Sequence, residues 1–152
     1  MTARQLKFSV PGTTLGAARA RRRVVAQLRG WGMRAGSDLL DTVELVAGEL
    51  IANAVRHARE GAIAVGLRLD DRSVRVEVFD SSRQPPRLCL PGTGDENGRG
   101  LLLVAALAER HDVEATPSGK RCWAEIAIAA PAVTDVKTPS ARLAAHVPLP
   151  RS

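Results

Sequence analysis

Residues 37–80 read SDLLDTVELVAGELIANAVRHAREGAIAVGLRLDDRSVRVEVFD, and the reading of this stretch decides the fold. Its first half repeats with a helical period. Leu40, Val43, Ala47, Leu50, Ala54 and Ala58 form one apolar stripe. Ser37 can cap such a helix, and Asp38 and Asp41 fall in its first turn, where the helix dipole favours anions. The pattern predicts a helix running to about Arg59. The second half then alternates with a period of two. Val65, Leu67 and Leu69 point one way, as do Val74, Val76 and Val78. Asp70-Asp71-Arg72 separates the two runs, Ile63 to Leu69 and Val74 to Phe79. An antiparallel hairpin with one buried and one wet face follows.

Upstream, Leu6 to Val10 reads as a short strand ended by Pro11-Gly12. Thr13 or Thr14 can cap a helix to about Leu28, with Leu15, Ala18, Val25 and Leu28 expected on its inner face. Gly30, Gly32 and Gly36 break the chain before Ser37. Downstream, residues 81–97 carry Pro85, Pro86, Pro91, Gly92 and Gly94 and no period. Loops of that length are usually functional lids or disordered segments. Gly98-Arg99-Gly100 opens a further helix to about Arg110. Asp112 to Thr116 and Cys122 to Ile128 read as two more strands, joined through Pro117-Ser118-Gly119. From 129 onward Pro, Ala, Ser and Thr dominate without a period, as in a flexible tail. The element order predicts an α+β fold: a two-layer α/β sandwich, its mixed, mostly antiparallel sheet covered by helices on one face. The expected organisation is one domain over 1–128 and a tail over 129–152.

The chain has 152 residues, 45% of them hydrophobic and 25% charged, an ordinary globular balance. No apolar run approaches a bilayer span, and no signal-peptide pattern opens the chain, so a cytoplasmic protein is expected. Cys89 and Cys122 make neither a CxxC pair nor a disulfide framework. Four aromatic residues, Phe8, Trp31, Phe79 and Trp123, are too few for a base-stacking platform. The net charge of +6 is uneven: residues 1–37 hold eight Arg or Lys and no acid. Such an arm attracts an anionic partner or is simply a solvated helix face.

Glu49, Asn53 and His57 recur every four residues along the margin of the long helix's apolar stripe. They form a ridge that drifts by about 40° per step. A carboxamide oxygen is a hard, neutral ligand suited to Mg²⁺ already held by phosphates. A carboxylate one turn earlier can orient water or take a proton from a hydroxyl nucleophile. The same spacing also fits plain surface polarity. Gly98-Arg99-Gly100 at a helix start lets backbone N–H groups approach phosphate oxygens, and a plain loop-to-helix junction looks alike. Asp80 ends a strand where the long loop begins; it can accept from an exocyclic amine such as adenine N6, or cap the turn. Lys120 and Arg121 open a strand near this point, where either can face solvent. No Walker or Rossmann glycine motif occurs.

Taken in order, ELVAGELIANAVRHA (44–58), VEVFD (76–80), GRGLLLV (98–104) and GKRCWAEI (119–126) resemble the ATP-binding domain of the GHKL superfamily. The nearest resemblance is to its small single-domain anti-sigma-factor serine/threonine kinases. The resemblance covers about residues 5–128 and implies the Bergerat-type, histidine-kinase-like sandwich with ATP and Mg²⁺ as cofactors. It implies that Asn53 holds Mg²⁺, Glu49 is the general base and Asp80 reads the adenine amine. Gly98, Arg99, Gly100 and Leu101 would close over the phosphates, and His57 would be structural or near the nucleotide. Many relatives carry Asp-x-Gly-x-Gly where this chain has Asp80-Ser81-Ser82-Arg83-Gln84. Glycine there allows close backbone approach, so its loss points to weaker nucleotide binding.

Two functions follow from the resemblance. One is an ATP-dependent kinase that phosphorylates a STAS-type anti-anti-sigma protein and sequesters a sigma factor, with a homodimer possible. The other is a non-catalytic ATP-binding or protein-interaction module of the same fold. A third reading, DNA binding through the arginine-rich arm, predicts a steep salt dependence. It has no helix-turn-helix or other reader behind it, so direct nucleic-acid binding is not expected.

Overall fold

The computed structural model describes residues 3–58, 61–82 and 96–128, with side chains of the last stretch from residue 100 onward. The elements are β1 (Arg4–Pro11), α1 (Thr14–Gly30), α2 (Asp38–Ala58), β2 (Ala62–Leu69), β3 (Ser73–Asp80), α3 (Glu96–Leu107), β4 (Arg110–Thr116) and β5 (Gly119–Ala127). This is the order the sequence predicts. The expected loop over 81–97 and the expected tail over 129–152 lie almost wholly outside the described residues.

The caps are those the sequence offers. Thr13 Oγ1 accepts from Gly16 N at 3.0 Å, and Ser37 Oγ accepts from Leu40 N at 3.1 Å. Asp70 Oδ1 accepts from Arg72 N and Ser73 N, which closes the β2–β3 turn. The inner face of α1 differs from the expected one. Gly16, Ala17, Ala20, Val24 and Leu28 are buried, whereas Leu15 is 59% exposed. At about 100° per residue, Leu15 lies roughly 140° around the helix from Leu28, while Ala17 lies within about 20° of it. Side-chain size suggested Leu15; the phase rules it out.

The five strands form one open sheet in the order β1-β2-β3-β5-β4. Each of its four pairings is antiparallel, so the sheet is not mixed among the described residues. The three helices form the second layer. α2 lies over β2, β3 and β5 and touches both α1 and α3. Its stripe is wider than the six positions read from the sequence, because Val46 and Ile51 are buried as well. Val65, Leu67, Val76, Val78, Cys122, Ala124 and Ile126 rise from the sheet to meet it. Burying each larger aliphatic side chain contributes about 1.5–3 kcal/mol relative to exposure.

The other sheet face carries charge. Arg75 stacks over the Trp123 ring at 4.1 Å and donates to both Glu77 and Glu125. Arg110 donates to Glu125 from the other side, and Arg121 pairs with Glu114. Lys7 sits 4.3 Å over the Phe79 ring. A shallow depression of about 240 Å³ lies here, over Lys7, Gly66, Arg68, Arg75, Glu77 and Phe79. The sheet separates it from the helix layer.

Candidate functional site

The ridge on α2 turns toward α3 and β5, and each of its three polar residues meets a different partner. Glu49 is half-buried. Its Oε1 lies so close to Gly100 that a Cβ built there would overlap it. The early backbone of α3 therefore packs directly on the carboxylate, and glycine is what permits that approach. Helix α3 begins at Glu96, two residues ahead of the expected Gly98.

One turn along, Asn53 is buried rather than marginal, at 4% exposure. Among the described residues its Nδ2 reaches only the Cys122 sulfur, at 4.0 Å, a weak acceptor. Its Oδ1 has no hydrogen-bond partner among the described residues. Buried amide oxygens are rarely left so, because each costs about 1–3 kcal/mol when unpaired. Burial pushes the Cys122 thiol up to about 11; the Lys120 charge and the Asn53 hydrogen bond oppose this, and the Asp80 charge adds to it. Cys122 is thus a neutral thiol at physiological pH.

One further turn along, His57 Nδ1 lies 2.8 Å from Lys120 Nζ. Lys120 in turn stands 3.1 Å from Asp80 Oδ2. Asp80 and Lys120 face each other directly across the β3–β5 ladder, on the helix side of the sheet. Both are buried, and the Asp80 side chain is fully covered. Asp80 Oδ1 accepts from Ser82 N at 2.8 Å. Oδ2 takes the ion pair, yet no donor among the described residues is aligned for a hydrogen bond to it. Gly119 fixes the local geometry. A Cβ there would overlap the Asp80 carbonyl oxygen and Ser81 Cα, and backbone cannot give way.

The expected residues converge in part. Glu49 and Gly100 touch, and Asn53 lies one turn from Glu49. Lys120 and Cys122 are two residues apart on the same face of β5, about 7 Å along the strand. Asn53 and Asp80 therefore reach neighbouring points of one strand. Leu101 is half-buried in α3. Gly98 and Arg99 lie in the backbone of α3, and their side-chain environment is outside the described residues. Lys120, where solvent exposure was open in the sequence, is 5% exposed. The signal that could have placed it was parity: Cys122, Ala124 and Ile126 point inward, so Lys120 must as well.

Among the described residues no group of three or more His, Cys, Asp or Glu could hold a metal ion. The buried amide oxygen of Asn53, without a hydrogen-bond partner among the described residues, is a neutral oxygen donor one turn from the Glu49 carboxylate. That fits Mg²⁺, which keeps waters and phosphate oxygens and takes few protein ligands. It does not suit a cation that needs a complete protein cage.

A five-stranded antiparallel sheet under three helices, with a carboxylate, an amide and an early glycine of α3 meeting above it, defines an α+β sandwich. The sequence matches the histidine kinase-like ATPase domain over residues 13–126, and the chain belongs to that GHKL-type family. Domains of this family bind ATP with Mg²⁺. No helix among the described residues is long and apolar enough to cross a membrane.

Proposed function

We propose that this chain is an ATP-dependent regulatory kinase of the anti-sigma-factor type, transferring phosphate to a serine or threonine on a STAS-type partner protein and holding a sigma factor. In this reading Asn53 Oδ1 is the protein ligand of the Mg²⁺ bound to the nucleotide phosphates. Asp80 reads the base. Gly98, Arg99, Gly100 and Leu101 at the start of α3 lie along the phosphates, where backbone N–H groups and a guanidinium neutralise charge. Glu49 accepts the proton of the partner's hydroxyl as its oxygen attacks the terminal phosphorus; the bond to the bridging oxygen breaks and the nucleoside diphosphate leaves. The observation that supports the reading most is the contact between Glu49 and Gly100, with an unpaired buried amide oxygen one helical turn away. Glu49, Asn53 and the early part of α3 lie within one turn of each other, as this reading needs.

Titration with Mg-ADP tests it. Wild type is expected to saturate, and Asn53→Ala to bind at least about tenfold more weakly. Incubation with labelled ATP and partner protein is expected to label the partner, and Glu49→Ala to abolish labelling while Mg-ADP still binds. The non-catalytic alternative draws on a specific feature: Ser82 stands where relatives have glycine, and its N–H is committed to Asp80. Saturable nucleotide binding with no label on any partner would favour that alternative.

A further inference from the structure

We infer that the solvent face of α1 is a docking surface for an acidic, amphipathic helix of a partner protein, with Leu15, Arg19, Arg22, Ala26 and Arg29 as the contact line. This holds whether or not the chain binds nucleotide. The five positions are spaced four, three, four and three residues apart. At about 100° per residue they stay within about 80° of one another, in a line roughly 21 Å long. All five are exposed. Leu15, at 59%, is the most exposed large apolar side chain among the described residues.

The fold gives the arginines on this line no task. Their neighbours are anchored: Arg21 lies over Gly48 of α2, and Arg23 stands 4.5 Å over the Phe8 ring. Arg19, Arg22 and Arg29 make no ion pair among the described residues. No acid occurs anywhere on α1. Arg19 instead has Arg22 and Arg23 three and four residues on, a like-charge spacing that weakens a helix. The outer face of the sheet is handled differently. There Arg75 pairs with Glu77 and Glu125, Arg110 with Glu125, and Arg121 with Glu114. Charge is thus neutralised on the sheet and left open on α1.

The line also decides which anion fits. Alternating steps of four and three trace the seam along which two helices pack at about 20°, side chains of one entering gaps of the other. Leu15 offers such a side chain, and the small Ala26 leaves such a gap. A partner helix with Glu or Asp beside an apolar seam sets carboxylates against the guanidiniums, which accept them through paired N–H groups. A nucleic-acid backbone gains nothing from Leu15. The arginines stand about 4.5 and 10.5 Å apart along the axis, unlike evenly repeating phosphates. Exposed ion pairs are individually weak and screened by salt, so affinity is modest and its apolar part survives salt.

The test uses the full chain and two labelled synthetic helical peptides of identical composition, read by fluorescence anisotropy. One carries its Leu and Glu residues along a single seam of this spacing; the other spreads the same Glu residues around the helix. A DNA duplex of about 20 base pairs is the third probe. The aligned peptide is expected to bind at least about tenfold more tightly than the scattered one. Arg22→Glu is expected to weaken it about tenfold, and Leu15→Ala about threefold, the latter also in about 0.5 M NaCl. Both positions are exposed, so Tm should stay within about 2 °C of wild type. Arg72→Glu, the same charge change on the exposed β2–β3 turn, is expected to leave binding within about twofold. Equal binding of the two peptides, or an equal loss in Arg72→Glu, would reduce the surface to the general field of a basic protein and overturn the inference. So would a duplex bound more tightly than the aligned peptide, or no saturable binding of that peptide below about 1 mM.

Discussion

Replacing Asn53 by Leu should stabilise the protein alone and destroy its response to nucleotide. The starting point is the buried amide, 4% exposed, whose oxygen has no hydrogen-bond partner and whose nitrogen reaches only a sulfur at 4.0 Å among the described residues. An unpaired buried acceptor costs about 1–3 kcal/mol. Leu has nearly the same shape and no polar atom to desolvate. Imperfect packing of the new methyl groups takes back up to about 1.5 kcal/mol. The net expectation is a gain of about 1 kcal/mol, or about 4 °C in Tm for a domain of this size.

With Mg-ADP the order should reverse. At a ligand concentration 100 times Kd, wild type gains about 2.7 kcal/mol, about 10 °C, while the variant gains nothing. The assay is thermal unfolding of both proteins with and without Mg-ADP. Two curves that cross in rank on adding ligand are the expected signature. The reasoning is refuted if Asn53→Leu alone loses more than about 1 kcal/mol, since the amide would then be structurally satisfied. It is refuted equally if the variant keeps the ligand-induced shift.

Three further expectations follow from single contacts. Gly100→Ala gains up to about 1 kcal/mol of helix propensity but must displace the Glu49 carboxylate, so Tm should move by less than about 4 °C while phosphotransfer falls by about 10²-fold; loss of fold, or full transfer, would show that the contact is not the working one. Burial raises the Glu125 carboxyl, but hydrogen bonds from Arg110 and Arg75 and their charges outweigh this and hold it below its ordinary 4.5. Its contribution is thus complete above pH 4.5 and lost as pH falls through the lower folded value, so urea midpoints should drop on acidification less steeply in Glu125→Gln than in wild type. Cys122, held as a thiol by its raised pKa, should resist iodoacetamide at pH 8 in the folded protein and react once it is denatured, as read by mass spectrometry of its peptide.

The fold was legible because period and punctuation agree along most of the chain. The switch from helical spacing at Leu40–Ala58 to alternation at Ile63–Phe79 fixed the second helix and the hairpin, and Thr13 and Ser37 marked both helix starts. What misled was size without phase, as at Leu15, where a large apolar residue sits on the solvent side of α1. Sheet order was not legible from local pattern, because the insertion of β5 between β3 and β4 is a long-range pairing. The candidate residues on α2 were marked by their spacing together with the family resemblance, but their contacts were not. Gly100 against Glu49 and Lys120 against Asp80 are contacts between segments far apart in sequence, set by register and helix docking.

That register brings Asp80 and Lys120 together. In β3 the inward positions are Val74, Val76, Val78 and Asp80; in β5 they are Lys120, Cys122, Ala124 and Ile126. Apolar pairs such as Val76 with Ala124 and Val78 with Cys122 fill most of the ladder, and the ion pair occupies its end. Slipping β3 by one residue would bring Phe79 under α2 and expose its valines, and slipping β5 would bring Arg121 under it and expose Cys122, Ala124 and Ile126, so the hydrophobic core forbids either slip. The same burial that stabilises the sheet therefore fixes a carboxylate and an ammonium opposite each other at its end. Ion pairing in such a place contributes little net stability, since desolvation offsets the attraction. Gly119, unable to carry even a methyl group against Asp80, closes the strand at that point. In the proposed function the Asp80 of this pair, whose Lys120 stands two residues from the sulfur that Asn53 touches, serves the base rather than the stability of the sheet.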